Sequence, residues 1–516
     1  LESNLLREDE TWRDRNHRIG PISTIAAAGR PPHDPGMSPA SAPPDTDWRA
    51  LLDRTLGLSM EYLRSLPDRP VSPRRDPAAL LAAFDRPVPD GPSDPLAVIE
   101  HLAATADPGL TTMQSGRFFG WVIGGALPAA VAADWLTTVW DQNAGSAEGT
   151  PAAAVVEQVA LRWILELLHL PAGCSGALVT GAQMANFVGI ATARDAVLAA
   201  SGWDVAEEGL IGAPPVRVVV GAQRHNTVDR AIRFLGLGGR RVVVVEADSE
   251  GRMRADALRQ ALAAGGGPTI VCAQIGNVNA GGIDPMPAIA DAVDDLRARQ
   301  SPGTAWLHAD GAFGLWARAS ATHRASVAGV ERADSWATDA HKWLNTPYDC
   351  GIALTAHPEA HRRALGTRAN YLPGPDDSIV RTPYDYSPEL SRRARGFAVY
   401  AALRQLGRSG VAELIDRTCA LARRFAEELG RLPGVEVNGG PELNQLVVRF
   451  RDPAGKDDDR HTRDVVRRVI DGGVCYPSPT VWKGAAGMRI SVSNFRTDEA
   501  DVRRSVAAIA RAHREP

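Results

Sequence analysis

Between Asp47 and Arg86 the apolar residues Leu51, Leu52, Leu56, Leu58, Tyr62 and Leu63 recur with helical spacing until Pro67, Pro70 and Pro73 end the pattern. This spacing predicts an N-terminal helical arm. A second helix is expected over 155–170, where Val156, Val159, Leu161, Trp163, Ile164, Leu167 and Leu168 make a broad apolar face that ends at Pro171. From there short β-branched runs alternate with longer helical patterns. The runs at 177–180, 216–220, 242–246, 269–275, 306–309, 335–338 and 351–354 read as strands. Helices are expected at 182–200, 227–235, 254–264 and 287–299. Near-continuous apolar strands alternating with helices predict a mainly parallel sheet covered on both faces. A long helical stretch over 388–430, strands at 435–437, 445–450 and 488–492, a helix near 462–470 and a final helix then predict a small α+β domain.

The expected organisation is therefore an extension over 1–46, a helical arm over 47–114, a large α/β domain over 115–387 and a small α+β domain over 388–516. The extension is rich in arginine, proline and acidic residues, and Met37 stands just before the regular pattern begins. Residues 1–36 are accordingly read as a disordered upstream segment, without the charged-then-apolar order of a signal peptide. The acidic run at 457–459 reads as a solvated loop rather than a metal site.

Composition narrows the function. The chain has 516 residues with 57 basic and 61 acidic side chains, a net charge of −4, so no concentrated basic face points to nucleic acid or anionic lipid. The longest apolar stretch, 121–133, is broken by Gly124, Gly125 and Pro128 and is too short to span a bilayer. The 5 cysteines are scattered, which fits neither a disulfide framework nor zinc-ligand spacing and makes a reducing cytoplasm the expected location. Basic residues are almost all arginine: the lysines are Lys342, Lys456 and Lys483.

Ligands in such sheets bind beyond the carboxyl ends of strands, and three segments there carry chemistry. In Val179-Thr180-Gly181-Ala182-Gln183-Met184 a strand gives way to a helix through small residues. Free N–H groups at Gly181, Ala182 and Gln183 would suit a phosphate, although close packing alone also calls for small residues. In His308-Ala309-Asp310-Gly311-Ala312 a carboxylate ends an apolar strand, where it needs a positive partner such as a protonated ring nitrogen or else caps the next turn. A His-x-Asp metal pair is a further reading, without an evident third ligand. In Asp339-Ala340-His341-Lys342-Trp343 a lysine rare in this chain sits at a strand end, where desolvation makes its amine a nucleophile suited to Schiff-base chemistry. A phosphate cradle, a strand-end carboxylate and a strand-end lysine together are the anchors that pyridoxal phosphate requires.

These blocks resemble the group II pyridoxal-phosphate decarboxylases, the family of aromatic amino-acid and glutamate decarboxylases, from about Asp47 to the C-terminus. The resemblance implies a fold-type-I homodimer, with Lys342 joined covalently to the cofactor, Asp310 on the pyridinium nitrogen and Ala312 under the ring. It also implies that His225, in Gln223-Arg224-His225-Asn226-Thr227, stacks on the cofactor, and that His341 and Asn277 lie near it. Asp339 stands where animal relatives carry asparagine close to the phosphate, and Asn277 replaces a common threonine; such departures fit a bacterial branch. Tyr371 falls on the loop tyrosine that returns a proton to the substrate.

The implied activity is decarboxylation of an L-amino acid to its amine and CO2. An aldehyde synthase or aminotransferase is the alternative, and a non-catalytic regulatory dimer is disfavoured by the intact site. Trp121, Val122, Ile123 and Tyr348 match the family's side-chain pocket and are apolar or aromatic, so a neutral aromatic or aliphatic substrate is expected over an acidic one. In the family the arm over 47–86 wraps the partner subunit.

Overall fold

The computed structural model describes residues 46–366, 380–438 and 440–515. The chain divides at Arg54 into two compact units. The first contributes to the described residues only the segment up to Arg54, which opens helix α1 (Trp48–Ser65). The second holds the remaining described residues. There α2 (Pro77–Phe84) and α3 (Pro95–Ala106) start with proline behind Asp76 and Asp94, whose carboxylates accept helix N–H groups. Helices α4 (Pro128–Trp140) and α5 (Pro151–Leu167) follow. The periodic reading missed α2, α3 and α4 because their alanine-rich stretches show no clear apolar stripe.

The large sheet is built from β1 (Ser175–Val179), β2 (Arg217–Gly221), β3 (Val242–Val245), β4 (Thr269–Gln274), β5 (Ala305–Asp310), β6 (Ser335–Asp339) and β7 (Gly351–Thr355) in the order β1-β7-β6-β5-β4-β2-β3. Strands β3, β2, β4, β5 and β6 pair in parallel, and only β7 runs against its neighbours. The connecting helices are α6 (Ala182–Ala199), α7 (Val205–Glu208), α8 (Asn226–Phe234), α9 (Ala255–Ala263), α10 (Met286–Arg299) and α11 (Pro358–Leu365).

Strand alternation explains why these runs are apolar throughout. Val218, Val220, Ile270, Cys272 and Trp306 pack with Ile190, Val197 and Leu198 of α6 and Val228 and Ile232 of α8. Their neighbours Val219, Val271, Ala273, Leu307 and Ala309 pack on the other side with Leu258 of α9 and Ile289 and Val293 of α10. Both faces are dry, and each buried branched side chain contributes roughly 1.5–3 kcal/mol. The same parity places Trp306, His308 and Asp310 together on the α6 face.

The smaller sheet combines β8 (Val435–Asn438), β9 (Gln445–Phe450), β10 (Ser478–Trp482) and β11 (Ala485–Ser491) in the antiparallel order β10-β11-β9-β8. Helices α12 (Gly396–Gly430), α13 (Asp458–Asp471) and α14 (Glu499–Arg514) supply Phe425, Val465, Val469, Val502 and Ile509 to its core. Strand β10 was not foreseen because Pro479 interrupts it; the sheet tolerates the missing donor because β10 is an edge strand. The helix expected from residue 388 begins only at Gly396 and is interrupted at Gly407, which has φ +62°. Likewise the run at 457–459 is a helix start rather than a loop: Asp457 caps α13, and Asp458 and Asp459 complement the dipole in its first turn. Among the described residues no helix is long and apolar enough to cross a membrane.

Candidate active site

The carboxyl ends of β1, β4, β5 and β6 converge on the N-terminus of α6. Gly181 caps this helix, and a β-carbon at Gly351 on the adjacent strand would run into the Gly181 backbone, so the approach of β7 requires glycine. The Ala182 N–H donates to Asp339 Oδ1 at 2.5 Å. The next two N–H groups, of Gln183 and Met184, have no acceptor among the described residues, which leaves them directed at a ligand in the positive field of the helix.

Asp339, 2% exposed, places its other oxygen 2.9 Å from Lys342 Nζ. The lysine follows β6 in a turn, and Gly124 lies so close that a β-carbon there would strike the Lys342 carbonyl oxygen. Between them, His341 Nδ1 accepts the Cys350 N–H at 3.0 Å, and the imidazole stacks on Tyr348 with ring centroids 4.2 Å apart. Burial depresses the His341 imidazole below its ordinary pKa, against the attraction of Asp339.

Across the site Asp310 is buried at the end of β5, accepting from Asn186 Nδ2 at 3.2 Å and from the Ala312 N–H at 3.2 Å. Burial raises its carboxyl above the usual range, opposed by His225, Lys342 and these hydrogen bonds. His225 caps α8: its N–H donates to Gln274 Oε1 at 3.0 Å, and its Nδ1 faces Thr227 Oγ1 at 2.9 Å. Burial lowers its pKa, so the ring stays neutral near pH 7.

Asn277 is committed elsewhere. Its Oδ1 accepts from the N–H groups of Asn279 and Ala280, and its Nδ2 donates to the Glu250 carbonyl, so the side chain holds its own loop. Nor is His308 half of a metal pair, since both ring nitrogens are taken, by Ser335 Oγ and Asn186 Oδ1.

The four side chains expected in a substrate pocket separate. Ile123 and Tyr348 line a cavity of about 260 Å³ together with Gln114, Gly124, Trp135 and Thr346. Val122 instead points into the main core, and Trp121 leans on Phe118 and Tyr476 and remains 48% exposed. Trp121 and Val122 have left-handed backbone, φ 49° and 61° respectively, a conformation costing a β-branched residue such as Val122 on the order of 1–3 kcal/mol. Tyr371 lies outside the described residues.

One residue at the site escaped the sequence reading. Arg489 on β11 is buried, its Nε has no partner, and no carboxylate of the described residues pairs with it. Desolvation lowers its pKa to about 10, and its charge further depresses His225. Between Met488 and Ile490 it reads as an ordinary outward-facing strand position; only the burial of both faces of β11 reveals it.

Comparison with known proteins gives concordant results. Residues 77–451 match the family model described as pyridoxal-dependent decarboxylase conserved domain. Tryptophan decarboxylase 1 of Oryza sativa subsp. japonica is 28% identical over 483 residues, covering 89% of this chain and 92% of the relative. Aromatic-L-amino-acid decarboxylase of Bacillus atrophaeus is 26% identical over 468 residues, 87% of this chain and 92% of its own. The crystal structure of Oryza sativa TDC with PLP and tryptamine superposes with a TM-score of 0.83 at 25% identity, over 90% of this chain and 97% of that one.

Proposed function

The chain belongs to the pyridoxal-dependent decarboxylase family, and on that premise we propose how its residues divide the work and which substrates they accept. The protein is a pyridoxal-phosphate-dependent carboxy-lyase of fold type I acting on an amino acid. When bound, the cofactor supplies an electron-accepting ring that takes up the electron pair left at Cα as CO2 departs.

The side chains fit that group in three places. The unpaired N–H groups of Gln183 and Met184 suit its phosphate. Asp310, buried at the end of β5 with its carboxyl raised by desolvation, would pair with a protonated ring nitrogen. Lys342 presents its amine from the turn after β6. In this reading Lys342 would carry the cofactor, Asp310 would keep the ring nitrogen protonated, and neutral His225 and Ala312 would help to hold the ring. Arg489 binds the substrate carboxylate, for which it is charged and unpaired. Tyr371, on the sequence alone, returns the proton to Cα.

The observation that carries the assignment is that the first two turns of α6 touch both halves of the site, Asp339 and through it Lys342 at Ala182, and Asp310 at Asn186. Borohydride reduction of the loaded enzyme followed by peptide mapping should mark Lys342; label on Lys456 or Lys483 would overturn it.

Among the described residues no basic side chain lines the cavity at Ile123 and Tyr348, so a substrate carboxylate beyond the α-carboxylate would find no cation there. This supports a neutral aromatic or aliphatic amino acid, and turnover of glutamate or aspartate alone would contradict it. Amine and aldehyde measured in the same reaction separate decarboxylation from aldehyde synthesis, and a keto acid would indicate transamination. The chain also exposes apolar residues along α4, with Trp135, Leu136, Val139 and Trp140 all solvent-facing. A second copy covering this face would make the homodimer expected for the family. A cytoplasmic location accords with 5 unpaired cysteines, four of them buried.

A further inference from the structure

We propose that Asn186 is a positioning residue that fixes Asp310 and His225 together, and that a directed hydrogen-bond chain from Trp306 through Ser335 and His308 sets its orientation. The inference rests on the assignment of Asp310 and His225 to the cofactor ring.

The direction follows from donor and acceptor chemistry. An indole nitrogen only donates, so Trp306 Nε1, 2.9 Å from Ser335 Oγ, makes that hydroxyl an acceptor. The Ser335 hydroxyl hydrogen is then free for His308 Nδ1 at 2.8 Å. This places the imidazole proton on Nε2, which donates to Asn186 Oδ1 at 2.9 Å. With its oxygen so engaged, Asn186 turns both N–H bonds forward: one to Asp310 Oδ2 at 3.2 Å, the other to Thr227 Oγ1 at 3.3 Å. Thr227 passes its own hydrogen to His225 Nδ1 at 2.9 Å. His225 is thereby left with its proton on Nε2.

Several features show that the fold makes room for this chain. Trp306, His308 and Asp310 alternate onto the α6 face of β5, and Ser335 begins β6 beside them. Gly189, inside α6, costs about 0.5–1 kcal/mol relative to alanine. A β-carbon there would lie 2.6 Å from His308 Cε1, so the glycine accommodates the imidazole. Asn186, His308 and Ser335 have no solvent exposure, and every polar side-chain atom of these three residues has a partner. Burial lowers the His308 pKa to about 3, so the ring remains the neutral tautomer the chain requires. A reversed amide would set a carbonyl against the Asp310 carboxylate. The correct one stabilises its charge against desolvation.

A buried network that merely specifies the core would predict lost stability alone, so the test measures the cofactor site. Full-length enzyme would be titrated with pyridoxal phosphate to obtain its dissociation constant, with the pH dependence of bound-cofactor absorbance and the melting temperature recorded alongside. Asn186→Asp and His308→Leu should each weaken the cofactor about tenfold, the worth of one charge-assisted hydrogen bond, and shift the absorbance profile. His308→Gln, whose amide can accept from Ser335 and donate to Asn186, should restore affinity to within about twofold. A lower melting temperature in Asn186→Asp and His308→Leu, with affinity and absorbance profile unchanged, would overturn the proposal. Should His308→Leu fail to fold, Ser335→Ala replaces it and must weaken the cofactor at least threefold or so for the chain to stand. Asp310→Ala separates the two levels. If it changes neither affinity nor absorbance, the ring assignment fails and the proposal with it; if it changes both while the Asn186 and His308 variants do not, only the chain is refuted.

Discussion

Asp339 and Lys342 form an ion pair at 2.9 Å in which the carboxylate is buried, and the same carboxylate accepts the Ala182 N–H at the start of α6. A fixed negative charge therefore stands at the helix terminus proposed above to hold the cofactor phosphate. Asp339→Asn keeps an oxygen for the Ala182 N–H but removes the charge. At an effective dielectric near 20 a charge pair about 5 Å apart is worth about 3 kcal/mol before screening, so apoenzyme affinity for inorganic phosphate should rise about tenfold. Calorimetric titration checks this, and unchanged affinity would show that Asp339 does not face the phosphate.

Arg489 supports an opposite pair of expectations. A buried guanidinium without a carboxylate partner destabilises the fold, while one reserved for the substrate carboxylate serves binding. Arg489→Met should leave the melting temperature unchanged or raised, with cofactor affinity nearly intact. kcat/KM for the amino acid should fall about a hundredfold, the loss of a charge-assisted interaction of about 3 kcal/mol. Falls in stability and activity together would assign the residue to the core instead.

His361 gives the fold a measurable pH dependence. It is fully buried and bonded at Nδ1 to Ser175 Oγ at 2.9 Å, and burial lowers its pKa to about 3. Unfolded, the imidazole returns to its ordinary value near 6.5. Between about pH 6.5 and 3 the unfolded chain therefore binds the extra proton, and this group's contribution to stability falls as pH falls, at roughly 1.4 kcal/mol per pH unit. His361→Leu should flatten that part of the stability curve by about one proton while costing about 1 kcal/mol near pH 7 for the lost hydrogen bond. Chemical denaturation at pH 5 and pH 7 distinguishes these terms.

How much of this was legible in the sequence depends on range. The seven strands of the large sheet and helices α6, α8, α9 and α10 were readable because the strands are apolar runs, most of them buried on both faces, and strand ends then located Lys342 and Asp310; the short helices α7 and α11 were not foreseen. Asn186 and Arg489 were not readable. Asn186 is one polar residue inside a helix, and its role depends on partners up to 124 positions away. Arg489 obeys strand alternation locally, and only the packing of the small sheet against the site buries it. Val122 was misplaced for a local reason: its left-handed backbone reverses the direction that extended geometry would give its side chain.

The last expectation concerns assembly. Val139 on α4 is 67% exposed, flanked by half-exposed Leu136 and Trp140 on the same helix. Water contact over such a patch is unfavourable by about 25 cal/mol per Å² of apolar surface, and a stable dimer of ordinary size buries about 800 Å² on each partner. A carboxylate placed there would be desolvated on both copies of a symmetric contact without a counter-ion. Val139→Asp should therefore weaken self-association by at least about a hundredfold, while the exposed position leaves the fold of each chain intact. Sedimentation equilibrium of the two proteins at micromolar concentration reads this directly. A wild-type monomer would remove the homodimer, and a variant that stays dimeric would move the interface away from α4.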